Sequence, residues 1–340
     1  MKKVRVAING LGRIGRAFLK LAIKRPEIQL AAVNDLGELK NLAYLLKYDS
    51  AYGQSGLAIE VRDSRLVIDG QELIFLQETE PSRLPWHNLQ IDVVVESTGR
   101  FESYVAAKAH IDAGARKVVV SAPVKGEPVP GIPGATVLMG INEEKLATCQ
   151  ITSNASCTTN SASPVLQILH EQIGIEKAIL NTVHGYTATQ KLVDAPAARD
   201  FRRGRAAAAN IVPSTTGAAS AVTAAITALE GKFDGLAVRV PVLAGSIADV
   251  TFIARRSTTA EEVNRILKKA AGEERWQNIF SVTEEPLVSS DIIGSPYASI
   301  ADLALTKVVG GNLVKVMAWY DNEIGYTHTL VEHVIKAGQH

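Results

Sequence analysis

Residues 4–8, VRVAI, alternate apolar and polar side chains at the two-residue period of a strand. After the turn INGLGRIG, the 3.6-residue period of RAFLKLAIKR (16–25) predicts a helix, and LAAVND (30–35) predicts a second strand. A helical pattern over LKNLAYLLKY (39–48) follows. Short alternating runs punctuated by Asp63-Ser64 and Asp69-Gly70 then predict a meander of hairpins. Strand, helix and strand return as IDVVVEST (91–98), YVAAKAHIDAGA (104–115) and KVVVSA (117–122). Such alternation builds a parallel sheet covered by helices, so residues up to about 156 predict one α/β domain.

Beyond residue 157 the strands lengthen, as in AILNTVHGY (178–186), GLAVRVPVL (235–243) and LVKVMAWY (313–320). Helical patterns over 216–231 and 258–272 lie between them, which predicts an α+β domain with helices on one face of its sheet. Residues 187–213 are rich in Ala and Arg and weakly periodic, the pattern of a long loop of the kind used for function or interfaces.

The 340 residues are 46% apolar, enough to bury more than one core. Lys and Arg number 36 against 35 Asp and Glu, a net charge of +1, so no global field recruits nucleic acid or an anionic membrane. Any anionic ligand must be met by local charges. Cys149 and Cys157 are the two cysteines, too few for a disulfide framework or a zinc site. With MKKVRVAING entering a strand at once and no membrane-length apolar run, the expectation is a soluble cytoplasmic protein without a metal.

Gly10, Gly12 and Gly15 form G-x-G-x-x-G between a strand and a helix. There glycines permit a tight turn and let a pyrophosphate reach the amides of the helix N-terminus. Asp35, ending the next strand, stands where a carboxylate grips a ribose diol and repels a 2′-phosphate, which favours NAD over NADP. Cys157 precedes the helical pattern TTNSASPVLQILHEQIG, with Pro164 tolerable near the helix start. A helix N-terminus lowers a thiol pKa and enlarges the thiolate fraction that a nucleophile needs. The hydroxyls of Ser156, Thr158 and Thr159 around it suit an oxyanion or phosphate, whereas Cys149 reads as a small buried apolar residue. His184, where an apolar strand leaves the core, is the histidine best placed as a base, although spacing alone does not bring it to Cys157.

SNASCTTN around Cys157, HGYTATQ around His184, NIVPSTTGAA (210–219), RVPV (239–242) and WYDNEIGY (319–326) resemble, in order and spacing, the phosphorylating glyceraldehyde-3-phosphate dehydrogenases. The resemblance covers essentially the whole chain. It implies a Rossmann-type domain (1–156 with 321–340) and a catalytic domain (157–320) with a mostly antiparallel sheet. By resemblance Cys157 adds to the aldehyde of glyceraldehyde 3-phosphate as a thiohemiacetal, and His184 supports the thiolate in an ion pair and then takes the hemiacetal proton. The resulting thioester is cleaved by inorganic phosphate to 1,3-bisphosphoglycerate, a reversible step of glycolysis and gluconeogenesis. Ser156, Thr158, Thr216 and Gly217 resemble the site of the attacking phosphate; Thr187 and Arg239 resemble that of the substrate's phosphate, with Arg205 a further contact. The cofactor set extends to Arg13, Ile14, Thr98, Ser121 and Asn322, the last fixing the nicotinamide amide. Leu36 and Pro196 resemble the NAD-preferring form, and the loop at about 187–209 resembles one packed between subunits of a homotetramer.

Two departures stand out. Ser161 replaces the second cysteine usual four places after the nucleophile, and Thr79-Glu80-Pro81 replaces Arg-Asp-Pro near the adenine pocket. Two other readings share the scaffold: an erythrose-4-phosphate dehydrogenase, and a dinucleotide-sensing or RNA-binding protein. PSTTGAA favours the phosphorylating triose enzyme over the first. The complete Cys157 and His184 motifs, without an added basic run, count against the second.

Overall fold

A computed structural model describes residues 3–198 and 200–340. The chain forms two compact units, one of residues up to Ala155 together with Thr329–His340, the other Ser156–His328. The sequence reading returns to the first domain at 321. In the structure residues 321 and 322 stay with the second unit, where the Asp321 carboxylate accepts from the Gly294 amide and Asn322 Oδ1 from the Ser246 hydroxyl.

The first unit is built on a nine-stranded sheet. Its centre is Val4–Asn9, with Ile28–Asn34 on one side and Val93–Glu96 on the other, all parallel. Lys117–Val120, Ile151–Ser153 and Gly134–Thr136 extend one edge in parallel; the last two escape a periodicity search because each is three residues long. On the other edge Gln71–Leu76 is parallel, and the expected meander follows as antiparallel Arg65–Ile68 and Ile59–Arg62. Asp63 and Ser64 turn at φ 46° and 60°, the left-handed pair that a two-residue hairpin requires. Because the chain leaves Val4–Asn9 in opposite directions to reach its two neighbours, a crevice opens at the carboxyl ends of these strands.

The second unit holds a seven-stranded, mostly antiparallel sheet: Val212–Thr215, Phe233–Val240, Ile175–Gly185, Ser246–Ala254, Leu313–Tyr320, Ser299–Val309 and Phe280–Thr283. Buried and half-buried residues alternate strictly along Ser246–Ala254, so one face is packed and the other more open. The helices Cys157–Ile173 and Ala260–Ala271 pack against this sheet and each other. The helix expected over 216–231 is shorter, Ala218–Ala225, since the chain leaves helical geometry at Ile226. Within the predicted loop lie two short 3-10 turns, Phe201–Gly204 and Ala207–Ala209. Among the described residues no helix is long and apolar enough to cross a membrane.

Candidate active site

In the first unit Gly10, Gly12, Asp35 and Thr98 line a cleft of about 240 Å³ at the crevice between the strand ends. The glycines differ in what they allow. Gly10 turns at φ 96°, and a Cβ there would meet the Ser97 carbonyl carbon at 2.7 Å; one on Gly15 would lie 2.0 Å from the Gly10 oxygen. At Gly12 a Cβ would touch nothing within 4 Å, so the absent side chain there leaves room for a ligand. The helix Arg13–Ala22 begins at Gly12 with no side-chain cap, which suits an anion on its first amides. Arg13 therefore offers its main chain, as does Ile14, because the Arg13 guanidinium forks onto Asp49 at 3.0 and 3.2 Å. Asp35 is fixed by the amides of Leu11 (2.6 Å) and Gly37 (2.8 Å), each carboxylate oxygen retaining capacity for a ribose hydroxyl. Leu36 and Thr79 line the same cleft, where an adenine would need an apolar wall. Ser121 lies beyond this lining and donates its amide to the Glu96 carbonyl at 2.9 Å.

In the second unit the helix Cys157–Ile173 starts earlier than its apolar pattern indicated, with Ser156 as cap: its hydroxyl accepts from the Thr159 amide at 3.1 Å. Pro164 is consequently inside the helix rather than near its start, and cannot donate to the Asn160 carbonyl. Cys157, the first helical residue, places Sγ 3.3 Å from His184 Nε2. His184 closes the strand Ile175–Gly185, and the parallel register sets Arg239 beside it on the neighbouring strand. That adjacency, invisible in the sequence, brings Arg239 Nη1 within 2.6 Å of His184 Nδ1. The Gly185 oxygen is also 2.6 Å from Nδ1. A carbonyl requires a proton on Nδ1 and a guanidinium requires a lone pair, so only one partner is satisfied at a time. With the proton on Nδ1, the lone pair of Nε2 faces the sulfur, as a base needs.

Burial and the Arg239 charge both act on this pair. Burial pushes the Cys157 thiol up, while the Arg239 charge and the Thr158 hydroxyl and amide pull it down. Burial, then the Arg239 charge, lower His184 to about 3. Burial thus opposes charge on both partners. Arg239 favours the thiolate and disfavours the imidazolium. Cys157 as a residue is only partly enclosed, whereas His184 is buried.

Sequence reasoning missed Tyr320, though it lies in the quoted WYDN stretch. Its hydroxyl bridges Thr158 and Thr182 at 2.8 Å each, its ring stands edge-on to His184 at 5.9 Å, and burial raises its pKa. Ser246 is a second such residue: its hydroxyl accepts from the Gly185 amide (3.2 Å) and donates to Asn322 (3.0 Å), orienting that carboxamide. The remaining phosphate candidates bond to near neighbours in sequence. The Thr216 hydroxyl accepts from the Ala218 amide, beside Gly217 at the start of the next helix, and the Thr187 hydroxyl pairs with Thr189. Among the described residues, none of these is hydrogen-bonded to Cys157, His184 or Arg239. Arg205 is exposed and its guanidinium bonds Asp194 at 2.9 Å. Arg203 instead reaches the Thr215 carbonyl at 3.2 Å and lies near enough for its charge to be felt at Arg239.

Two family models match the chain: residues 4–104 match the glyceraldehyde 3-phosphate dehydrogenase NAD binding domain, and residues 156–322 the C-terminal domain of the same family. A glyceraldehyde-3-phosphate dehydrogenase of Geobacillus stearothermophilus is 45% identical over 97% of this chain and 96% of its own length. One from Thermotoga maritima is 47% identical, covering 96% of this chain and 97% of its own. Glyceraldehyde-3-phosphate dehydrogenase 3 of Saccharomyces cerevisiae is 42% identical over 98% of this chain and its entire length.

Proposed function

The chain belongs to the glyceraldehyde-3-phosphate dehydrogenase family, an NAD-dependent oxidoreductase of glycolysis, and from that premise we propose which of its residues carry each step. Cys157 attacks the aldehyde carbon of glyceraldehyde 3-phosphate, and its proton passes to the carbonyl oxygen by way of His184 Nε2. The 3.3 Å Sγ–Nε2 contact carries this assignment. NAD, for which the open approach at Gly12 and the uncapped helix amides are fitted, supplies the hydride acceptor. His184 takes the hemiacetal hydroxyl proton as the carbon is oxidised, with Nδ1–H directed to the Gly185 oxygen. The thioester left on Cys157 is attacked by inorganic phosphate, the thiolate departs, and the acyl phosphate retains the oxidation energy.

Arg239 is the proposed partner of the substrate phosphate, with Thr187 a second donor to it. An anion there neutralises the charge that, after burial, lowers His184, and so strengthens the base as substrate arrives. Ser156, Thr158, Thr216 and Gly217 are the proposed donors to the attacking phosphate, and Arg203 replaces Arg205 as the auxiliary cation. Gly10, Gly12, Arg13, Ile14, Gly15, Asp35 and Thr98 hold the dinucleotide. Ser121 and Asn322 keep their roles from resemblance. The erythrose-4-phosphate and RNA-binding readings are not favoured, since the matching relatives carry the glyceraldehyde-3-phosphate name.

The experiment is mass spectrometry of the protein quenched with aldehyde and NAD but no phosphate. The three-carbon acyl group is expected on Cys157 and absent from Cys157→Ala, which still binds NAD; an adduct elsewhere, or turnover by the variant, refutes the assignment. We also infer a cytoplasmic homotetramer. Leu192 and Phe201, 82% and 87% exposed in the 187–209 loop, are apolar surface that subunit packing would cover. Sedimentation as a monomer at micromolar concentration would refute it.

A further inference from the structure

Glu96 ends the strand Val93–Glu96 beneath the dinucleotide cleft; it is 2% exposed and takes no part in the chemistry above. A buried carboxyl group needs a reason to be there. Its Oε1 accepts from the Thr98 amide at 2.8 Å and the Thr98 hydroxyl at 2.5 Å. Its Oε2 meets Asn9 Nδ2 at 2.6 Å and His110 Nε2 at 3.0 Å. Trp86 Nε1, which can only donate, bonds His110 Nδ1 at 3.0 Å, so the imidazole proton sits on Nε2 and points at the carboxylate. Four donors converge on one side chain, and a carboxylate alone among side chains of this shape accepts from all of them.

The stretches tied together are those that form the floor of the cleft. Asn9 pairs with Glu96 in parallel register, and beyond them the Ser97 hydroxyl donates to the Gly10 oxygen at 2.7 Å. Thr98 lines the cleft with its hydroxyl donated inward, so it offers a ligand its backbone and methyl group. We propose that Glu96 is a positioning residue of the cofactor site, drawing Asn9 and Thr98 onto one buried carboxylate and so setting the gap in which NAD lies. The proposal rests on the placement of NAD in this cleft. A purely structural Glu96 would contribute stability and leave cofactor affinity alone.

Glu96→Gln preserves shape but turns one acceptor into a donor. The Thr98 amide cannot change role, so the new NH2 group faces Asn9 and His110, where donor meets donor. Calorimetric titration of the full-length protein with NAD is expected to show Kd raised about tenfold, while iodoacetamide alkylates Cys157 at the wild-type rate without cofactor. Adding Trp86→Phe removes the bond that fixes the His110 tautomer, so Nε2 can then accept from the substituted amide. In the double variant NAD affinity is expected to recover partly although Tm falls further, an opposed movement that a structural role does not produce. Wild-type affinity in Glu96→Gln, or affinity and Tm falling together in the double variant, overturns the proposal. Should Glu96→Gln not fold, Thr98→Val removes one donor to the same carboxylate; a rise of a few-fold in Kd supports the proposal and no rise overturns it. Asp35→Gly tests the placement separately, since unchanged NAD affinity there refutes the cleft itself whatever Glu96→Gln does.

Discussion

His184 is poised between two demands, a sulfur on Nε2 and an arginine or a carbonyl on Nδ1, and burial disfavours a charge on the ring. A neutral imidazole presents the lone pair that takes a proton, and an anion set against Arg239 would offset one of the two causes that weaken it as a base. His184→Asn removes that acceptor while keeping a side chain able to bond the Gly185 oxygen. Alkylation of Cys157 at pH 7 is expected to slow by on the order of tenfold, and the oxidation step by roughly a hundredfold or more. Stopped-flow alkylation and single-turnover NADH formation measure the two; an unchanged alkylation rate would remove His184 from the support of the thiol. Residue types around this site were readable from the chain, including Cys157, His184 and Arg239. Their mutual distances were not, because 27 residues separate the first pair and 55 the second in sequence.

At the scale of the element, the helix Cys157–Ile173 does two jobs from one terminus. Its first residue is the proposed nucleophile, and its cap is a proposed phosphate donor whose hydroxyl also closes the Thr159 amide. Ser156→Ala is expected to cost about 1 kcal/mol of stability through the lost cap, and to raise the KM for inorganic phosphate more than that for aldehyde. Urea unfolding and steady-state kinetics read these separately; equal KM changes would reduce Ser156 to a cap. Ahead of it Ala155 turns at φ 55°, an uncommon value for a residue with a Cβ, which re-aims the chain between the short strand Ile151–Ser153 and the helix. Neither that strand nor that turn left a periodic trace, whereas longer strands such as Val4–Asn9 and Leu313–Tyr320 did.

Across the molecule, each unit carries one histidine that burial holds near pKa 3, His333 in the first and His184 in the second. Burial lowers both, with the Lys117 and Arg239 charges the respective second causes. In the unfolded chain each would titrate near 6.5, so between pH 6.5 and 3 the unfolded state binds more protons and stability rises with pH. The contribution is complete above about pH 6.5 and is lost progressively as pH falls toward 3. From pH 7 to 5 each histidine is expected to cost on the order of 2 kcal/mol, in a window above that where ordinary carboxylates protonate. Urea midpoints at the two pH values test this, and His333→Gln should remove about half of the loss. A midpoint indifferent to pH from 7 to 5 would show that neither ring is buried uncharged.

Hydrophobic period, three glycines, one acid at a strand end and a handful of long motifs were enough to determine two kinds of domain, a dinucleotide fold and the candidate side chains for the chemistry, because each is encoded within a few neighbouring residues. Tertiary structure alone decided that Arg239 bears on His184, that Arg205 is tied to Asp194 while Arg203 reaches the Thr215 carbonyl, that Tyr320 and Ser246 bond around the site, and that Glu96 gathers four donors beneath the cleft. These depend on which strands become neighbours and in what register. Pairing between distant segments is chosen by burial summed over the whole core, a quantity no local window of sequence contains.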